Sequence, residues 1–216
     1  MPEPTDSSDR AGAAADRRGL AAATMRARLI EAAIGQLAHE GMRGLTHRRV
    51  EQRAGVSQGL VKYHFGSLDG LIEAVVDHMA DIEIRAVMRV TPEQHAQAAA
   101  TGQVPPAVWQ AAREAWAAVI AQPELVRARF ELYLHAGRHP GLQAAIRRGR
   151  ERFVDAAAAS LSSAEPRAGA RMVLALVTGL LLHQVSAPDE TVDEWAPAYL
   201  LASGFAASLL PDSPEG

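Results

Sequence analysis

The chain has 216 residues, 48% hydrophobic and 22% charged, which excludes collagenous and broadly disordered classes and leaves room for two small domains. It has no cysteine, so disulfides, thiol catalysis and Cys-ligated zinc or iron–sulfur centres are excluded. The net charge of -3 hides a polarity, because residues 24–69 carry seven basic and four acidic groups whereas residues 70–216 carry 12 basic and 17 acidic. A small cationic unit therefore precedes a larger anionic body.

Taken in chain order, the first 23 residues, with Pro2, Pro4, Ser7 and Ser8, lack the apolar core of a secretory signal and read as a disordered arm. Periodicity from there on is helical, with no convincing alternation of β-branched residues, so an all-α fold of about nine helices is expected. Thr24 caps a first helix, with Leu29, Ile30, Ala33, Ile34 and Leu37 on one face and Gly41 as its stop. Thr46 opens a short second helix that turns Val50 and Ala54 inward and ends at Gly55. Ser57 caps a third helix of about two turns running to Phe65, stopped by Gly66. Ser67 caps a long fourth, from Leu68 to about Met88.

The stretch from Thr91 to Pro106 reads as a loop with one extra turn at most, after which prolines mark the start of each helix: Pro105 and Pro106, Pro123, Pro140 and Pro166. A last helix is expected from near Asp193 to before Pro211. The longest charge-free apolar run, between Arg171 and His183, falls short of the ~20 residues that cross a bilayer, so no membrane span is expected and a cytoplasmic home follows.

Residues 46–65, THRRVEQRAGVSQGLVKYHF, have the layout of a helix-turn-helix: two short helices joined by a tight turn containing glycine. Val61 and Phe65, at i and i+4, face inward and leave Gln58, Gly59, Lys62 and Tyr63 on the opposite face. Gln bonds bidentately to adenine, Gly admits close backbone approach, and Tyr touches a thymine methyl or donates to phosphate. A helix N-terminus at Ser57 would add unpaired N–H groups turned toward an anion. Arg43, Arg49 and Arg53 read as solvated charges on a face and not as base readers.

Residues 28–75, RLIEAAIGQLAHEGMRGLTHRRVEQRAGVSQGLVKYHFGSLDGLIEAV, resemble the N-terminal domain of the TetR family of bacterial transcriptional repressors. The resemblance rests on the Ala-Ala of the first helix, the Gly before the turn, Leu-Thr opening the second helix, Ala-Gly-Val-Ser, and the closing His-Phe. It implies that Thr46, Lys62, Tyr63 and His64 touch phosphates or sugars, and that Arg48, Gln58, Gly59 and Leu60 read base edges. The chain departs from the family twice: Lys62 stands where a tyrosine is customary, and Leu68 where a phosphate-binding lysine is common.

The resemblance further implies an N-terminal three-helix helix-turn-helix domain (24–67) on a larger helical ligand-binding and dimerisation domain (68–216). On this reading the protein is not an enzyme and needs no cofactor. It is a homodimeric repressor on a palindromic double-stranded DNA operator, released when a small apolar or aromatic inducer shifts the fourth helix.

In the body, Trp109, Ala112, Trp116 and Val119 form one stripe, and Phe130, Tyr133 and Leu134 lie near Arg129, Glu131 and His135. Trp109, Trp116, Arg129 and Tyr133 are therefore the expected ligand contacts, although such aromatics serve equally well as plain core. Glu131, His135 and His139 share a helical spacing, but Gly137 and Pro140 interrupt it and no metal site is expected. No Ser-His-Asp set or carboxylate pair is readable. Residues 172–182, MVLALVTGLLL, are apolar all round, and with the last helix (Tyr199, Leu200, Phe205, Leu209 and the small residues Ala202, Ser203, Gly204, Ala206 and Ala207) they suggest a four-helix interface between two subunits.

Overall fold

The computed structural model describes residues 6–89, 91–101, 103–161 and 165–206. These form ten helices: α1 (Asp6–Gly44), α2 (His47–Ala54), α3 (Leu60–Phe65), α4 (Leu68–Val87), α5 (Pro92–Thr101), α6 (Pro106–Ile120), α7 (Pro123–Ala136), α8 (Pro140–Ala158), α9 (Pro166–Ser186) and α10 (Glu190–Ala206). No strand occurs among the described residues, as the helical periodicity requires.

The first helix and the stretch after Thr91 differ most from the sequence reading, and the last helix starts at Glu190, a few residues before Asp193. The helix expected to start at Thr24 begins at Asp6, so the described part of the arm is helical. Its Ala-rich run favours helix, and the Thr24 hydroxyl donates to the Leu20 carbonyl at 2.9 Å, a bond made inside a helix and not at a cap. The stretch after Thr91 holds α5: Gln94 N donates to Thr91 Oγ1 at 3.3 Å while Gln94 Oε1 accepts from Thr91 N at 2.9 Å, a reciprocal cap with Pro92 in the first turn. Finally, α9 is longer than the charge-free run it contains. It is the single described helix long and apolar enough to cross a membrane, with mean hydropathy 1.5 in its best window. Its first turns carry Arg167 and Arg171, which pair with Glu151 and Asp155 of α8.

The largest core cluster joins Leu29, Ala33 and Leu37 of α1, Val50 and Ala54 of α2 and Val61 of α3 to Leu71 and Val75 of α4, Leu125, Ala128 and Leu132 of α7, and Leu142 and Ile146 of α8. The hydrophobic interior thus continues across the expected boundary at residue 67. The α1 helix packs extensively on α7, and α4 packs on α8, where a Cβ at Gly149 would stand 3.5 Å from Ala80 and Val76.

In the single chain α8, α10 and α7 cover one side of α9, leaving Met172, Ala175, Gly179 and Leu182 exposed. On α10, Trp195, Tyr199 and Ala202 are exposed as well. The end of the last helix, and the contributions expected there from Ser203, Gly204, Phe205, Ala206, Ala207 and Leu209, lie outside the described residues and side chains.

Candidate nucleic-acid interface and effector cavity

Helix α2 starts as its sequence dictates, with Thr46 Oγ1 accepting from Arg49 N at 3.3 Å. It ends at Gly55 in the left-handed region, φ 63°, where Gly55 N donates to Gln52 O at 3.1 Å and Val56 N to Glu51 O at 3.0 Å. Helix α3 starts later than expected. Its cap is Gly59, φ 95°, and not Ser57, and no side chain of the cap residue bonds to the helix.

Two of the open N–H groups are taken by Glu51, a buried carboxylate of α2 that accepts from Gly59 N and Val61 N, each at 2.9 Å. Part of the helix N-terminus expected to face an external anion is therefore already committed to an internal one.

Val61 is fully buried and Phe65 packs against the core, so α3 turns its other face outward. Gln58, Gly59, Lys62 and Tyr63 are exposed, Tyr63 by 80%. Thr46 and Arg48 are exposed beside them on α2, while His64 is half-buried with its ring edge-on to Tyr63 at 4.9 Å. Leu60 is also half-buried and packs against the core, as does Leu68 at the start of α4. Arg49 pairs with Glu40, and Arg53 lies 3.7 Å from Glu124, which accounts for both charges away from the reading face.

Two residues of this unit escaped sequence reasoning. Glu51 is one, and its signal was a charge flanked by the inward positions Val50 and Ala54. Arg26 is the other: it donates to the His64 carbonyl and its guanidinium sits 4.4 Å over the Phe65 ring, tying α1 to the end of α3.

In the body, a cavity of about 110 Å³ opens between α4, α6, α8, α9 and α10. Trp116, Phe153, Val119, Val177 and Leu200 supply its apolar wall, and Glu83 reaches it from α4. Trp116 donates its indole N–H to Asp193 Oδ1 at 2.9 Å, which leaves the ring as an apolar surface. Of the four expected ligand contacts, Trp116 alone lines this cavity. Arg129 and Tyr133 line a smaller void on the other side of Glu83, and Trp109 packs with Val108 and Leu201.

Arg129, 2% exposed, forms an ion pair with Glu83. Burial is the largest single influence and disfavours its cation, but the Glu83 charge, the neighbouring Tyr133 and the hydrogen bond to Glu83 together outweigh it and raise its pKa. The His135 ring in the last turn of α7 stacks on that of His139 at 3.9 Å, and desolvation, then the neighbouring His139 and Arg138, lower the pKa of His135. Among the described residues no three His, Asp or Glu side chains converge as metal ligands.

Comparison with known proteins follows these two regions. Residues 29–75 match the family described as bacterial regulatory proteins, tetR family, and residues 105–203 match the family described as tetracyclin repressor-like, C-terminal domain. The HTH-type transcriptional regulator BetI of Burkholderia thailandensis is 43% identical over 54 residues, a stretch that spans 28% of that relative and 25% of this chain.

A transcriptional regulator from Rhodococcus sp. shares the fold at 21% identity and TM-score 0.59, over 86% of this chain and 99% of its own. A TetR-family member from Streptomyces coelicolor aligns at 26% identity and TM-score 0.56, covering 82% and 96% of the two chains. The multidrug binding protein EbrR, crystallised with ethidium, is 26% identical with TM-score 0.58, covering 82% of this chain and 96% of its own.

Proposed function

We propose that this chain, which belongs to the TetR family of bacterial transcriptional regulators, is a cytoplasmic repressor that binds a palindromic operator as a homodimer and lets go when a small apolar or aromatic inducer enters the body. The observation that carries the reading is the reach of α4. Its first residue follows α3 after only Gly66 and Ser67, and its residues Glu83, Ala86 and Val87 line the cavity, so one rigid element touches both sites. Fifteen residues from Leu68 to Glu83 span roughly 23 Å at helical rise.

Each part has a physical role. The exposed Gln58, Lys62 and Tyr63 supply base and phosphate contacts from an α3 that Val61, Glu51 and Arg26 hold in place. A second copy covers the open apolar stripe of Met172, Ala175, Gly179 and Leu182 together with Trp195 and Tyr199, and the small residues let two helices approach closely. This reading also accounts for the apolar length of α9 without a membrane, since Arg167 and Arg171 at its start are committed to carboxylates of α8. Two-fold symmetry then doubles the reading head and fixes the spacing of two half-sites.

Release requires differential affinity: taking the bound form from 99:1 to 1:99 needs an inducer that prefers the released conformation by about 10⁴, roughly 5.5 kcal/mol. EbrR, a multidrug binding protein solved with ethidium, supports a ligand-binding role for such a fold, and the apolar cavity of this chain supports a lipophilic occupant.

The test is selection of bound fragments from the parent genome at moderate salt. Enrichment of one inverted repeat is expected; recovery of no sequence above background would overturn the reading.

A further inference from the structure

Among the described residues Glu83 is the one ionisable residue lining the effector cavity, and it forms the partition between that cavity and the void beside Arg129. We infer that the effector is a neutral single-ring aromatic molecule with one N–H or O–H donor, that the donor bonds to the Glu83 carboxylate, and that competition with Arg129 for this carboxylate moves α4. This inference rests on the regulator reading above and assigns the chemistry of its ligand.

Size and wall set the ring. About 110 Å³ is of the order of the ~150 Å³ apolar cavity that accepts benzene, and Trp116 and Phe153 offer aromatic surfaces to a flat occupant. Charge sets the rest. Glu83 is already neutralised by Arg129, so a cationic ligand would leave a net positive charge out of water, and an anionic one would face a carboxylate with little screening. A neutral donor satisfies a carboxylate lone pair and adds no charge.

The pair is also poised to yield. Arg129 Nε is buried and finds no partner among the described residues, so its guanidinium is incompletely satisfied and held to Glu83 through Nη1. Both partners sit on helices that support the reading head. Glu83 is on α4, and Arg129 is on α7, which packs on α1 and whose Glu124 accepts from His39 of α1 at 2.7 Å. Weakening one buried bond therefore loosens α4 from α7, the two supports of the head.

The experiment uses the full-length chain with Trp109 and Trp195 replaced by Phe, so that fluorescence reports Trp116. Phenol, toluene, benzylammonium and benzoate are titrated as probes, with operator binding read in parallel on the chain that keeps all three tryptophans, because Trp195 lies on the face proposed to pair. Phenol should bind at least tenfold more tightly than its isostere toluene and more tightly than either ion, and it should release operator. In the double variant Glu83→Leu/Arg129→Met, which replaces the pair by apolar volume, the advantage of phenol should fall below about threefold and release should vanish.

Equal affinity for phenol and toluene, tightest binding by benzylammonium or benzoate, an undiminished phenol advantage in the double variant, binding without release, or no binding by any probe would each overturn the inference. Failure of the unliganded wild-type chain to bind operator would instead count against the regulator reading, so the two failures are distinguishable.

Discussion

Six exposed side chains or backbone positions in, or just before, α2 and α3 carry the proposed recognition, and they divide by chemistry. Lys62 is a flexible point charge standing where the family customarily has a tyrosine, so its contribution is electrostatic. Lys62→Ala should weaken binding to every DNA sequence and reduce the slope of log K against log salt by about one; an unchanged slope would remove its phosphate role. Gln58 instead has paired donor and acceptor. Gln58→Ala should relax preference at one base position by about 1–3 kcal/mol, and uniform loss across all positions would refute base readout.

These positions were legible because helical periodicity places them opposite the buried Val61. Leu60 was harder, since resemblance alone put it on the reading face, whereas its half-buried side chain belongs as much to the core. The outward charges Arg49 and Arg53 were legible as surface, although their partners Glu40 and Glu124 were not, since ion pairs between elements depend on packing.

At the scale of the element, caps and stops explain which boundaries could be foreseen. Thr46, Gly55, Gly66 and Ser67 are local signals: α2 begins and ends, α3 ends and α4 begins where they dictate. The start of α3 is set from a distance, by a carboxylate eight and ten residues earlier in the chain, and Ser57 consequently loses its expected role.

Glu51→Ala strands the buried Val61 N–H and the partly buried Gly59 N–H at the start of α3 and should cost about 2 kcal/mol in denaturant unfolding, with weaker operator binding. Lys62→Ala, at an exposed site, should leave stability within about 0.5 kcal/mol of wild type. If Glu51→Ala proves as stable as Lys62→Ala, the internal cap is not what fixes the recognition helix. Helix α5 shows the opposite lesson: its Thr91-Pro-Glu-Gln94 cap was present in the sequence, but neighbouring Pro and Gly residues obscured it.

For the whole molecule, the cationic head and anionic body read from the sequence share one continuous core instead of meeting at a linker. That continuity is what allows an occupant of the body to be felt at α3. The cavity was only partly legible. Trp116 was found from its stripe, but Glu83 lay unremarked on α4 and the ion pair that Arg129 makes with it went unforeseen, because long-range pairing leaves no periodic trace.

The open apolar faces of α9 and α10 should be closed by a second copy. Leu182→Lys combined with Tyr199→Lys should convert a dimer into a monomer in sedimentation equilibrium, with loss of operator affinity. A wild-type chain sedimenting at monomer mass would remove the symmetric mechanism.

The central claim is that α3 enters the major groove twice. Methylation interference at guanine N7 on the selected operator reads that groove directly. The account predicts two symmetric clusters of interference, one helical turn of ~34–36 Å or a multiple of it apart, each abolished when its half-site is scrambled. A single cluster, or binding indifferent to N7 methylation throughout, would contradict it.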